Sequence, residues 1–181
     1  SDAQDSSFGS SVRNRESAMS NMVAQMFKDT LGKEDPNFIG IQNPGGTRAS
    51  LQSGEITYKD AALVLPFANS LMTTKITGEQ FTQVLEEQWQ HDEKGQVPSR
   101  PFLSLGLSSN VSYTYDENQP EGQRITSVWV NGKPIDPKAS YTVGSGSFLI
   151  NGGDNFHTLA KGSKPVDTGK IDLDTWVGWI K

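Results

Sequence analysis

An α+β fold is predicted by three features of this chain. Apolar residues recur at helical spacing in two stretches of the first half and again at the end. From about residue 103 the pattern changes to short extended runs separated by Asn, Gly and Pro clusters. Within them, Asn131-Gly132 between Trp129-Val130 and Pro134-Ile135 is a strong hairpin signal. Helices and strands in mixed order, with a β-meander in the second half, read as a single domain of mixed sheet with packed helices. The length of 181 residues allows one domain with a real core and is too short for two comfortable ones. The apolar fraction is low at 34%, but four Trp and eight Phe let burial rest on large rings.

Ser1 to Ser11 is rich in Ser, Asp and Gly, so residues 1–11 are expected to be a linker or chain end and 12–181 the domain. Met19, Met22, Val23, Met26 and Phe27 place one apolar face on a helix from Glu16 to Thr30, stopped by Gly32 and Pro36. Phe38 to Ile41 is a short buried strand that runs into the turn-forming Asn43-Pro-Gly-Gly-Thr-Arg48. Tyr58 to Leu65 is a helix closed by Pro66, and the β-branched content of Leu71 to Ile76 makes a strand. Thr77 caps a helix that extends through Gln90, with Phe81, Val84, Leu85 and Trp89 on one face. Extended segments follow at Leu103 to Leu107, Val111 to Tyr115, Ile125 to Val130 and Tyr141 to Gly146. Leu173, Trp176, Val177 and Ile180 then share one face of a final helix.

Composition removes several function classes. A net charge of -5 without a basic stripe argues against a nucleic-acid polymer as partner. The absence of cysteine excludes disulfides, thiolate metal sites and a cysteine nucleophile, and leaves the compartment open. No apolar run approaches the roughly 20 residues of a membrane-spanning helix, and no basic-then-apolar leader stands at the start.

Four short stretches carry residues suited to a ligand. In Phe148-Leu-Ile-Asn-Gly-Gly-Asp154-Asn-Phe156, paired glycines free the backbone for close approach. Asp154 can accept from sugar hydroxyls, and Phe148 or Phe156 can offer a flat face. The same stretch also reads as a tight turn with both rings in the core and Asp154 as a cap. Arg13 stands just before the first helix, where a planar guanidinium and unsatisfied N–H groups can share an anion. Salt-bridging of the Arg13/Arg15 pair to Glu16 is the plainer alternative. Asn43 to Arg48 brings an amide, the flexible Gly45 and Gly46 and a second arginine, without the Gly-Lys-Ser/Thr of a nucleoside triphosphate loop. Leu65-Pro66-Phe67-Ala-Asn69 adds a ring beside a proline, equally readable as core. His91 and His157 lack metal-ligand spacing, and no nucleophile or acid/base constellation stands out. These residues are equipped to hold a ligand and ill equipped to cleave it.

Taken together, Arg13-x-x-Glu16, Asn43-x-Gly-Gly-x-Arg48, Leu65-Pro66-Phe67, Pro101 to Leu107 and Phe148-x-x-Asn-Gly-Gly-Asp154-x-Phe156 resemble the C-terminal domain of the 5'-nucleotidase family. That family includes UDP-sugar hydrolases and 2',3'-cyclic-nucleotide phosphodiesterases. The resemblance runs from Val12 to Lys181 in register. It implies a two-domain hydrolase: an N-terminal metallophosphoesterase domain carries two divalent metal ions and the chemistry, while this domain binds the nucleotide or nucleoside. No cofactor, metal or catalytic residue is expected here. By position, Arg13 and Arg48 would hold phosphate, Asn43 would face the base, and Phe67 and Phe148 would sandwich it. Asp154 would bind ribose hydroxyls, with Gly45, Gly46, Asn151 and Gly153 completing the binding loops and Asn69 a fainter match. The resemblance also implies a secreted, periplasmic or surface-bound protein.

The chain departs from the family in three ways. Val12 and Ser17 stand where some animal members carry a cysteine pair, and Pro44 replaces a commoner glycine. The metal domain's Asp-x-His and Gly-Asn-His signatures are missing, so this chain is expected to be an inactive piece of the enzyme. Two rival readings are a free-standing nucleotide-binding module or surface adhesin, and a sulfur-oxidation hydrolase. The presence of both Phe67 and Phe148 speaks against the second.

Overall fold

The computed structural model describes residues 13–181; residues 1–12, which include the expected linker, lie outside the described residues. The first helix, α1 (Ala18–Leu31), begins where the Ser17 hydroxyl accepts the Ser20 N–H at 3.2 Å and ends at Gly32. Strand β1 (Ile39–Gln42) is buried throughout and passes into a 3-10 turn over Pro44–Gly46. Helix α2 (Tyr58–Val64) has a capping box between Thr57 and Asp60. Strand β2 (Ser70–Thr77) leads into α3 (Gly78–Glu86), which starts at a second capping box between Thr77 and Gln80.

The expected helix through Gln90 stops one turn early, at Glu86. Beyond it the Gln88 side chain is fully buried, donates to the Leu85 carbonyl at 3.0 Å and accepts from the Leu105 N–H at 3.0 Å. Trp89 pairs with Phe102 as an isolated β-bridge. Contacts with the 101–105 segment therefore replace the last helical turn.

The second half contains β3 (Gly106–Leu107), β4 (Val111–Tyr115), β5 (Ile125–Val130), β6 (Lys133–Pro134) and β7 (Ser140–Gly146). Asn131 and Gly132 both take positive φ, 52° and 74°, as a two-residue hairpin turn between β5 and β6 requires. The run Leu103 to Leu107 pairs only over its last two residues. After the short helix α4 (Ser147–Ile150) comes a strand that the sequence does not announce, β8 (Ser163–Ile171), followed by α5 (Asp172–Ile180). Lys164, Pro165, Asp167 and Gly169 break any apolar alternation in β8. Such residues are tolerated because β8 is an edge strand.

The main sheet has the order β3-β1-β7-β2-β8, in which β1 and β7 run parallel and the other pairs are antiparallel. Strands β4, β5 and β6 form a separate meander. Residues of β1, β2 and β7 that point to one face, among them Ile39, Ile41, Ile76 and Val143, join α3, α4 and the meander in one core. On the other face Leu71 joins α1, α2 and α5 around Phe27 and Trp176. Helix α1 lies so close to the sheet that a Cβ at Gly40 would stand 2.0 Å from the Ala24 carbonyl oxygen.

Strand directions decide where the loops meet. The C-terminal ends of the parallel strands β1 and β7 open at the same end of the sheet. Antiparallel pairing brings the start of β2 there, with Leu71 opposite Gly146, and the end of β8, with Ser70 opposite Ile171. Four sequence-distant segments thus converge beyond one end of the sheet.

Candidate functional site

A cavity of about 340 Å3 lies at this end, lined by Arg13, Gln42, Asn43, Gly45, Gly46, Arg48, Phe67, Asn69, Gly146, Phe148, Leu149, Asp154 and Asp172. Most of the residues singled out from the sequence meet here. Phe67 and Phe148 are 57% and 51% exposed, which is unusual for such rings and leaves their faces available to a ligand. Phe156, read from the sequence as an equal candidate, is fully buried in the core instead.

Two expected residues do not line the cavity. Asn151 is exposed at the end of α4, and its amide nitrogen lies 3.9 Å from the Met72 sulfur. Gly153 packs behind Phe148: a Cβ at that position would come within 2.6 Å of the ring. Its small size seats the ring, and only indirectly shapes the cavity.

The turn that carries Asp154 is wound through left-handed backbone, with φ of 92° at Gly152, 55° at Asp154 and 61° at Asn155. Glycine, aspartate and asparagine tolerate this region best. Asp154 receives a hydrogen bond from the Asn43 amide at 2.8 Å, which ties the turn after β7 to the loop after β1. From behind, the Asn155 amide donates to Gln90 Oε1 at 3.0 Å and the Thr158 N–H donates to the Glu87 carboxylate at 3.2 Å. Burial pushes the Glu87 carboxyl above its ordinary range, opposed by its hydrogen bonds with Thr158 and by the nearby His157.

Positive charge gathers near Asp154. The Arg13 guanidinium lies against Gly45, where a Cβ would be 3.1 Å from its Nη1. Burial, then the like charges of Arg100 and Arg48, lower the Arg13 pKa, while Asp154 acts in the opposite sense. Arg48 sits 5.8 Å from the Phe67 ring centroid, within cation–π range. Arg100 was not singled out from the sequence, since nothing in its neighbourhood distinguishes it.

Asp172 and Gln42 were also missed. Asp172 is 4% exposed and opens α5; its Oδ1 accepts the Leu173 N–H at 2.6 Å and its Oδ2 faces the Asn69 amide at 3.5 Å. The Asp172 N–H in turn donates to the Asn69 carbonyl at 2.9 Å. Burial raises the Asp172 carboxyl, Leu173 and Asn69 counter this, and Asp174 adds a smaller upward push. The two residues stand 103 positions apart, so only the pairing of β8 with β2 brings them together.

A wider groove of about 870 Å3 runs between α1 and β4. It gathers none of the candidate residues. Among the described residues, no group of three or more His, Cys, Asp or Glu could hold a metal ion. No described helix is long and apolar enough to cross a membrane.

The family profile of the 5'-nucleotidase C-terminal domain matches residues 2–161. An apyrase of Tabanus yao is 29% identical over 154 residues, 81% of this chain and 27% of that protein. The NAD 5'-nucleotidase of Haemophilus influenzae is 32% identical over 156 residues, 79% of this chain and 25% of that protein. Among solved structures, the 5'-nucleotidase precursor from Thermus thermophilus superposes with a TM-score of 0.78 at 32% identity, covering 94% of this chain and 33% of that one. This chain therefore spans only a minor part of each of these proteins.

Proposed function

Because the chain belongs to the 5'-nucleotidase C-terminal domain family, we propose that it is the substrate-binding part of a nucleotide phosphoester hydrolase. The observation that carries this reading is the convergence of two exposed rings, two arginines and two carboxylates, Asp154 and Asp172, on a single cavity. A base stacks between Phe67 and Phe148, and each such contact contributes about 1–3 kcal/mol while tolerating different bases. Asp154, steadied by Asn43, has lone pairs left for ribose hydroxyls. Arg13 and Arg48 hold the phosphate through charge-assisted hydrogen bonds.

Cleavage belongs to a separate metallophosphoesterase domain of the parent protein, whose two divalent ions would supply Lewis-acid stabilisation of the reacting oxygens. The role of this chain is to hold the nucleotide in one orientation toward that centre. UDP-sugars and 2',3'-cyclic nucleotides fit the same scheme as further substrates. The parent enzyme acts outside the cytoplasm, in the periplasm, at the cell surface or secreted.

The test is a calorimetric titration of this chain with AMP, adenosine and a dideoxyadenosine. Arg48→Ala should weaken AMP far more than adenosine, because adenosine has no phosphate to lose. Phe148→Ala should weaken both by roughly tenfold or more. Asp154→Ala should spare the dideoxy ligand. Equal losses of AMP and adenosine in Arg48→Ala would make Arg48 a structural partner of Phe67 and overturn its phosphate role.

A further inference from the structure

We propose that Asp172 reads the base: its carboxylate accepts a hydrogen bond from an exocyclic amino group of a nucleobase held between Phe67 and Phe148. This inference rests on the base-binding reading above and adds a specificity to it. The first support is position. Along the sheet order, Asn43 follows β1, Phe148 follows β7, Asn69 precedes β2 and Asp172 follows β8. Of the groups assigned to sugar and phosphate, Asp154 bonded to Asn43 and Arg13 against Gly45 lie on the β1 side of this row, while Arg48 stands beside Phe67. The Asn69–Asp172 pair occupies the β2–β8 side. A nucleoside whose sugar lies at the first side directs the far edge of its base toward the second.

The second support is chemistry. Asp172 is nearly buried, yet it lines the cavity. Its Oδ1 takes the Leu173 N–H at 2.6 Å, whereas the Asn69 amide reaches Oδ2 only at the outer limit of hydrogen bonding, 3.5 Å. An ionised carboxylate has about four acceptor sites; the Leu173 and Asn69 backbone groups and the Asn69 amide engage part of them, against a burial cost that dominates. A donor supplied by the ligand relieves that cost. The Asn69 amide already turns its N–H toward Asp172, so what this wall offers a base edge is acceptor capacity. Amino groups of adenine, guanine or cytosine satisfy an acceptor; a keto oxygen at the same position is repelled by it.

The experiment compares nucleosides that differ by a single amino group: adenosine with purine riboside, and guanosine with inosine, each titrated into this chain. In at least one pair the amino nucleoside should bind roughly tenfold or more tightly. Asp172→Asn keeps the shape and one oxygen for the Leu173 N–H, and should erase that preference by weakening the amino nucleoside more than its des-amino partner. A merely structural Asp172 would weaken both members of a pair alike. Equal affinities within both pairs in the wild type, a measurement that needs no variant to fold, overturn the proposal; so does a preference that survives in Asp172→Asn. Binding of none of the four nucleosides would overturn the base-binding reading itself, and this inference with it.

Discussion

Ala68 stands between two cavity residues, Phe67 and Asn69, with φ at 52°, in the left-handed region that an alanine has no side-chain reason to occupy. Holding an L-residue there costs about 1–2 kcal/mol. The surrounding structure sustains that cost because Pro66 closes the preceding helix region and β2 begins at Ser70, leaving few residues in which to turn. Ala68→Gly removes the strain but adds about 0.4–1 kcal/mol of unfolded-state entropy. The net expectation is stabilisation of up to about 1 kcal/mol, read as a higher urea midpoint. Nucleoside affinity should fall at the same time, since Phe67 and Asn69 lose part of their fixed geometry. A lower midpoint would show that the turn relaxes without strain. Gly153 and Phe148 illustrate the same scale from the other side: one missing methyl group allows a ring to stand in the cavity wall.

Among the elements, the segment after α3 has the largest influence on the site without lining the cavity. Glu87 and Gln90 hold the turn that carries Asp154, through Thr158 and Asn155. The Glu87 carboxyl is raised in the folded state chiefly by burial, so the folded protein holds that proton more tightly than the unfolded chain does. Its contribution to stability is therefore full below the ordinary carboxylate range and is lost as pH rises through the raised value. Glu87→Gln is neutral throughout. As pH rises from the ordinary carboxylate range through the raised value, the wild type should lose stability relative to Glu87→Gln, seen as converging or crossing thermal midpoints. Asp60 and Asp116, which their hydrogen bonds hold below the usual range, titrate at lower pH and are common to both proteins. A difference that grows in favour of the wild type with rising pH would mean that Thr158 and His157 outweigh burial.

At the scale of the molecule, the main sheet has an apolar core on each face, one completed by α1, α2 and α5 and the other by α3, α4 and the meander. Among the described residues, each core draws its buried members from several sequence-distant elements. The chain alone should therefore unfold in one cooperative transition and bind nucleoside. It should release no phosphate from AMP, with or without added divalent metal, because no described cluster of acidic or histidine side chains could hold the ions such hydrolysis uses. A phosphate-release assay on the pure chain checks this, and metal-dependent turnover above the background of the buffer would refute it. Under the function proposed above, fusion to a separate metallophosphoesterase domain should give activity.

The helices with clear apolar faces, α1 and α5, and the Asn131-Gly132 hairpin were legible from residue order, because periodicity and turn chemistry are local properties. So were most of the residues that line the cavity, which stand in short motifs and in a resemblance from Val12 to Lys181. Local pattern could not choose between Phe148 and Phe156, since both are aromatic neighbours of one glycine pair. Burial decided: Phe156 turned into the core and Phe148 into the cavity. Nor could it reveal β8, whose residues carry no apolar alternation and are held by pairing with β2. Asp172 remained invisible for the same reason. A lone charged residue becomes part of a site only when long-range strand pairing and loop closure set it beside its partners, and neither is encoded in its immediate neighbours.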